Sequence, residues 1–300
     1  MQRFDASVVI CTFRRPAMLE SCLLSLRGQI NPFGTVEVIV IDNCPGASAK
    51  AVVRHAGQGF VEGAMTLRYV VEANPGVASA RNRGLAEARN PVICFIDDDE
   101  RALPHWLETL LAPFGNTNID IVAGEVEPDF GDQPRPEWLE DRFLHAYSCK
   151  LGWDTNPRLL TNDEWFIEGN CAFRKSLFSN RQFNANLGRK GDVLLSSEGS
   201  VFFDLRRKGA VAFFSPNAKT SHFIHPDRLS RKWLLKRMFY QGLSDSVAHK
   251  EFGMIAKLMN NKVSPEYLKN VDPEKYSGEY LEAMASIYYH FGYGLSENIC

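Results

Sequence analysis

No two of the seven cysteines, at 11, 22, 44, 94, 149, 171 and 300, lie within four residues of each other. A zinc-type Cys-x-x-Cys pair is therefore absent, and the odd number does not fit a closed disulfide framework. Most of them sit in apolar runs, the setting of reduced core thiols in a cytoplasmic protein. A charge excess of one sign is also lacking. Lys and Arg number 34 against 36 Asp and Glu, a net of −2, which argues against nucleic acid as the main partner. Long apolar runs are missing too. Val92-Ile93-Cys94-Phe95-Ile96 is among the longest, whereas a membrane-spanning helix needs about 20 such residues. The start, Met1-Gln2-Arg3-Phe4-Asp5, enters a strand-like run without the apolar stretch of a secretory signal. There is no Gly-x-Gly-x-x-Gly and no Gly-Lys-Ser/Thr loop, so dinucleotide and Walker-type sites are not expected. No repeat or low-complexity tract appears. What is present, 45% hydrophobic and 23% charged residues, is the composition of a globular α/β protein and not of a disordered chain or a coiled coil.

The first hundred residues alternate strand and helix signals. Strands are predicted over Ser7–Cys11, Val36–Ile41, Thr66–Val71 and Pro91–Ile96. Between them come a helix beginning near Pro16, with Leu19, Cys22, Leu23 and Leu26 on one face, a short helix over Ala47–His55 and an Ala/Arg-rich helix over Val77–Ala88. Such alternation specifies a mostly parallel sheet covered by helices, and ligands of these sheets bind at the carboxyl ends of the strands. Further on, a helix is expected around Trp106–Leu111, strands over Ile119–Val126 and Phe166–Phe173, a Pro-rich loop over Glu127–Pro136 and a helix over Ser196–Arg207. After His225-Pro226 the pattern is helical to the end.

Three strand ends carry chemistry. Asp97-Asp98-Asp99 closes the fourth strand. Adjacent carboxylates repel, and a hard divalent cation, Mg²⁺ or Mn²⁺, relieves that repulsion while also taking phosphate oxygens. The competing reading is a solvated acidic turn. Asp42 closes the second strand, either as a turn residue or as an acceptor for a base N–H or a ribose hydroxyl. Asn74-Pro75-Gly76 opens a helix whose backbone N–H groups face outward, with Arg81 and Arg83 adding positive charge.

These pieces, in order, resemble the family-two inverting glycosyltransferases of the GT-A (Rossmann-like) fold. The resemblance is carried by Val8-Val9-Ile10-Cys11-Thr12-Phe13-Arg14-Arg15-Pro16, Val40-Ile41-Asp42-Asn43, Asn74-x-Gly76-x4-Arg81-Asn82-x-Gly84 and Phe95-Ile96-Asp97-Asp98-Asp99. A second set runs from Glu168-Gly169-Asn170 through Leu187-Gly188 and Ser197-Glu198 to Gly209, Pro216 and His222. The resemblance implies a nucleotide-diphosphate sugar donor, a uridine donor being favoured, and Mn²⁺ or Mg²⁺. It implies that Thr12, Phe13, Arg14, Asp42, Gly76 and Arg81 line the nucleotide, that Asp97 or Asp98 holds the ribose, and that Asn170 stands against the donor sugar and acceptor. It further implies that Asp99 and His222, the latter after a strand and a Pro-containing loop, hold the metal.

By the same resemblance the catalytic base falls at Glu198. The family's usual Glu-Asp pair reads Glu198-Gly199 here, with Asp192 and Asp204 as substitutes. The departure supports an alternative, a nucleotide-sugar-binding protein with impaired catalysis. A nucleotidyltransferase would need a glycine-rich loop after the first strand, and Cys11-Thr12-Phe13-Arg14-Arg15 contains no glycine. The basic segment 228–237 reads as a solvated helix face, a source of cations for the diphosphate, or a surface for anionic lipid near a lipid-linked saccharide acceptor. The expected organisation is a transferase domain over 1–225, with a nucleotide half over 1–100 and an acceptor half over 101–225, then a helical extension over 226–300. The expected setting is the cytoplasm, peripherally on the inner face of the membrane, and the expected role is in cell-surface polysaccharide or glycolipid synthesis.

Overall fold

A computed structural model describes residues 4–60, 65–150, 155–162, 164–188, 200–252 and 278–296. In chain order the elements are β1 (Ala6–Thr12), α1 (Pro16–Leu26), β2 (Val36–Asp42), α2 (Lys50–Gly57), β3 (Met65–Val71), α3 (Val77–Glu87), β4 (Val92–Ile96), β5 (Glu100–Ala102), α4 (Trp106–Leu111), β6 (Ile121–Asp129), β7 (Arg158–Leu159), β8 (Asn170–Arg174), α5 (Ser200–Arg207), β9 (Ala212–Phe223), α6 (Arg231–Phe252) and α7 (Gly278–Ser296). The strands form one nine-stranded sheet in the order β3-β2-β1-β4-β8-β6-β9-β5, with β7 paired to β9. β1 to β4, β6 and β9 run one way; β5, β7 and β8 run against them.

The sheet is largely apolar on both faces, which is why β4 and residues 38–41 of β2 read as continuous hydrophobic runs instead of alternating ones. One face packs Val8, Ile10, Val38 and Val40 against α1, α2 and α4, through Leu19, Leu23, Val53 and Trp106. The other packs Val9, Ile39 and Ile41 against α3 and α5, through Ala78, Ala80, Phe202 and Leu205. Two glycines are set by geometry. Gly76 caps α3 at φ 118, a conformation that disfavours any side chain. Gly84 lies against Val9, where a Cβ would collide with Val9 Cγ1. A third apolar cluster joins Val126 and Tyr147 to Leu234 and Met238 of α6 and Leu281 and Tyr289 of α7. These are the C-terminal helices the sequence pattern predicts. Among the described residues no helix is long and apolar enough to cross a membrane.

β9 departs most from the sequence reading, which expects a Pro-containing loop before His222. One strand runs through Pro216 because its pairing with β6 shifts between Gly124 and Glu125: Gly124 faces Ser215, and Glu125 faces Lys219. A bulge tolerates a residue that cannot donate to the ladder. β8 is shorter than expected and begins at Asn170. A turn precedes it, closed by Asn170 N donating to Ile167 O at 3.1 Å.

Candidate active site

β1 and β4 lie side by side and in parallel, so their carboxyl ends deliver Thr12 and the acidic run to the same edge. β9 brings in His222, which pairs directly with Glu100. Thr12 Oγ1 donates to Asp98 Oδ2 at 2.7 Å. One guanidinium nitrogen, Arg15 Nη1, bridges Asp98 Oδ1 at 3.1 Å and Asp99 Oδ2 at 2.8 Å. His222 Nε2 faces Asp99 Oδ1 at 3.5 Å, and Arg228 Nη2 approaches Asp99 Oδ2 at 3.8 Å. Asp97 is the most open of the three aspartates, 39% exposed, with Arg81 Nη2 at 3.4 Å. Arg81 itself is buried and lies over the rings of Phe95 and Phe183.

The charges compete for the same volume. Burial, and then Asp99, push the Asp98 carboxyl up against the opposing pull of Arg15 and Thr12. Burial would also push Asp99 up, but His222, Arg15 and Arg228 together hold it well below the usual carboxylate range. His222 is raised: burial lowers it, and Asp99 outweighs that. Glu100, fully buried, is raised by burial and by Asp97, and its Oε2 has no hydrogen-bond partner among the described residues. Gly169 roofs this acid end. A Cβ there would meet Asp97 Oδ2 at 2.7 Å and collide with Glu100 Oε1.

Asp99 Oδ1 and His222 Nε2 converge as a hard oxygen and an imidazole nitrogen, a pairing that suits Mn²⁺. Among the described residues no group of three His, Cys, Asp or Glu side chains forms a complete metal cage. Such a pair fits a cation that draws its remaining ligands from phosphate oxygens and water.

Two expected ligand contacts are corrected by the geometry. Asp42 is not an open acceptor. It is fully buried, with Oδ1 taking Cys44 N and Ser48 Oγ and Oδ2 taking Ala49 N and Tyr69 Oη, so it fastens the β2–α2 connection. Asn170 does not face a donor sugar. It is fully buried: Oδ1 accepts from Trp106 Nε1 at 2.8 Å, and Nδ2 donates to Glu125 O and Ala218 O at 2.9 and 2.8 Å. It stitches the β6–β9 bulge closed. Phe13 is exposed at the rim, and Arg14, at φ 55, lies over its ring. The side chain that enters the acidic cluster is Arg15, which the sequence reading did not single out. Its place immediately before Pro16 at the start of α1 is the signal that could have singled it out. Arg228 turns inward, Arg231 lies over Trp138, and Lys232 and Lys236 remain exposed, so segment 228–237 splits between site and surface. Asp204 is paired with Arg181 and Lys208. Glu198, Gly199 and Asp192 lie outside the described residues.

The sequence profile of Glycosyl transferase family 2 matches residues 7–181, a segment that holds Thr12, Arg15, the acidic run and Asn170. The chain belongs to that family. Relatives of this family-2 glycosyltransferase include the succinoglycan biosynthesis protein ExoM of Rhizobium meliloti (strain 1021), 27% identical over 78% of this chain and 71% of the relative. The glucosyl-dolichyl phosphate glucuronosyltransferase of Haloferax volcanii is 29% identical over 59% of this chain and 56% of its own length. A GalNAc(5)-diNAcBac-PP-undecaprenol beta-1,3-glucosyltransferase of Campylobacter jejuni is 28% identical over 59% and 54%. The chain thus spans little more than half of the latter two. Among solved structures, the mannosyltransferase PcManGT of Pyrobaculum calidifontis, in complex with GDP-Man and Mn²⁺, aligns with a TM-score of 0.59 at 17% identity over 99% of this chain and 74% of that one. S. aureus TarS aligns with a TM-score of 0.55 at 14% identity over 89% and 41%. The fold of this family-2 glycosyltransferase is GT-A.

Proposed function

We propose that this glycosyltransferase is inverting and divalent-metal-dependent. It moves a sugar from a nucleoside-diphosphate sugar, a uridine donor first among them, to a hydroxyl of a saccharide or lipid-linked saccharide acceptor. The observation that carries the reading is the convergence of Asp98, Asp99, His222, Arg15 and Arg228 at the carboxyl edge of the parallel strands. Asp99 and His222 are the residues that would hold Mn²⁺ or Mg²⁺, and a cation bound there supplies positive charge to the departing diphosphate. Arg15 and Arg228 flank Asp99 and offer guanidinium groups to the same phosphates. Asp97, open and beside Arg81, accepts from the ribose. Thr12 holds Asp98 in register, and Phe13 offers an exposed ring to the base. Glu198, the acid at the family's base position, takes the acceptor hydroxyl's proton as that oxygen attacks the anomeric carbon and the bond to the diphosphate breaks. The names of the Campylobacter and Haloferax relatives support a lipid-linked acceptor. Exposed Lys232 and Lys236 support peripheral contact with an anionic membrane.

The test is calorimetry of nucleotide sugars with and without Mn²⁺, followed by transfer assays. Asp99→Ala should abolish the Mn²⁺-dependent part of donor binding, and unchanged affinity for the donor–Mn²⁺ pair would sink the metal assignment. Tight donor binding without transfer to any acceptor would favour the alternative that Gly199 suggests, a binding protein without catalysis.

A further inference from the structure

His222 has neighbours on both ring nitrogens. Nε2 faces Asp99 Oδ1 at 3.5 Å, and Nδ1 faces Cys149 Sγ at 3.6 Å. Cys149 is fully buried, and its sulfur also lies 3.5 Å from the carbonyl oxygen of Tyr147. A carbonyl can only accept, so the thiol spends its one hydrogen on Tyr147. The sulfur lone pairs are then left to accept, and the hydrogen between sulfur and ring belongs to Nδ1. Nε2, on the far side, carries the hydrogen that pairs with Asp99; giving it up leaves Nε2 the lone pair that ligates a metal, while Nδ1–H stays on the sulfur.

We propose that Cys149 is a positioning residue for metal binding: its sulfur accepts the Nδ1–H of His222 and fixes the tautomer and ring plane in which Nε2 and Asp99 Oδ1 converge. The sulfur lies at the Nδ1 side of the ring, opposite Asp99, so it acts on the cation only through His222. Its place is held from both sides. Cys149 N donates to Leu144 O at 3.1 Å, and Lys150 N donates to Val126 O at 3.1 Å, clamping this turn to β6. β9 fixes the ring from the other side through the pairing of His222 with Glu100. The chain Nδ1–H to Sγ to Tyr147 O is short and directional, and each bond polarises the next. Neither Cys149 nor Tyr147 belongs to the acidic motif, and both reach the site through a turn more than 70 residues before His222 in sequence.

The inference rests on the metal reading of Asp99 and His222, and one experiment separates the two. Mn²⁺ is titrated into protein saturated with UDP, GDP or TDP, whichever of the three binds. Free Mn²⁺ is read by electron paramagnetic resonance, and the bound ion is read by spin-echo modulation from ligand ¹⁴N. The wild type should show imidazole nitrogen, and His222→Ala should lose it. Cys149→Ala and Cys149→Val, which cannot accept, should weaken Mn²⁺ roughly tenfold, the lower end of the usual effect of a metal ligand's hydrogen-bond partner. Cys149→Ser, which can accept and donate, should recover most of that loss. Binding of the nucleotide without Mn²⁺ should be unchanged in all three Cys149 variants. Using both a smaller and a slightly larger apolar variant guards against one of them failing to fold. Wild-type Mn²⁺ affinity in Cys149→Ala or Cys149→Val, with nitrogen modulation intact, overturns the role of Cys149 and leaves the metal site standing. Absence of nitrogen modulation in the wild type overturns the metal reading of His222, and the role of Cys149 with it.

Discussion

Replacing Asn170 by Ala removes three hydrogen bonds at the centre of the sheet. It strips the indole nitrogen of buried Trp106 of its acceptor and leaves the carbonyls of Glu125 and Ala218 without their side-chain donor. An unsatisfied buried polar group costs about 1–3 kcal/mol. The three groups share one side chain and relax together, so the expected loss is about 3 kcal/mol, well short of the largest sum. In a domain of this size that lowers Tm by roughly 6–12 °C. Asn170→Asp should be no better. It keeps an acceptor for Trp106 but turns a carboxylate oxygen toward two carbonyl oxygens, with no proton between them. The assay is thermal and urea unfolding of the two variants, with nucleotide affinity measured well below the lowered Tm. Affinity should hold, because Asn170 is fully buried. The reasoning is refuted if Asn170→Ala unfolds within about 1 kcal/mol of wild type while donor binding is lost. Asn170 would then be the ligand residue that the family resemblance implies.

Glu198→Gln should cut transfer by roughly 10²–10⁴-fold, the usual share of a general base, with donor affinity held within a few-fold; a wild-type rate would pass the role to Asp192. Gly169→Ala should destabilise the fold by about 1–3 kcal/mol, because its methyl group would press into Glu100 and Asp97; urea unfolding reads this, and an unchanged midpoint would mean that the acid end has room to give. Lys232→Gln with Lys236→Gln should weaken flotation with phosphatidylglycerol vesicles at low salt, at about 1 kcal/mol per cation; no binding by the wild type would remove the membrane reading.

The parallel half of the sheet is legible because its strands are buried on both faces and end in polar residues, so β1, β2 and β4 announce themselves by composition. The helix faces follow from spacing, as with Leu19, Cys22, Leu23 and Leu26, all of which are buried. Pairing across the chain is much less legible. Whether Asp42 or Asn170 points at a ligand or at its own backbone depends on neighbours brought from elsewhere: Tyr69 for Asp42, and Trp106 and Ala218 for Asn170. Arg14 and Arg15 are indistinguishable by type. Only the left-handed backbone at Arg14 sends one to the rim and lets the other reach the acids. Pro216 hides β9 because a run containing proline reads as a loop unless the bulge is known.

β9 also sets when the site comes into being. The acidic run lies at residues 97–100, but its histidine arrives at 222, on a strand that pairs with β6 and β5. Contacts between such distant segments close late, after loop entropy has been overcome. During synthesis the β1–β4 sheet can therefore form while its acids have only the nearby arginines, Arg15 and Arg81, as counter-ions. A chain stopped before β9 keeps the carboxyl edge of the parallel strands and lacks the histidine. If Asp99 and His222 hold the cation as proposed, metal binding becomes a checkpoint on completed folding, since a partly made protein lacks one of its two ligands.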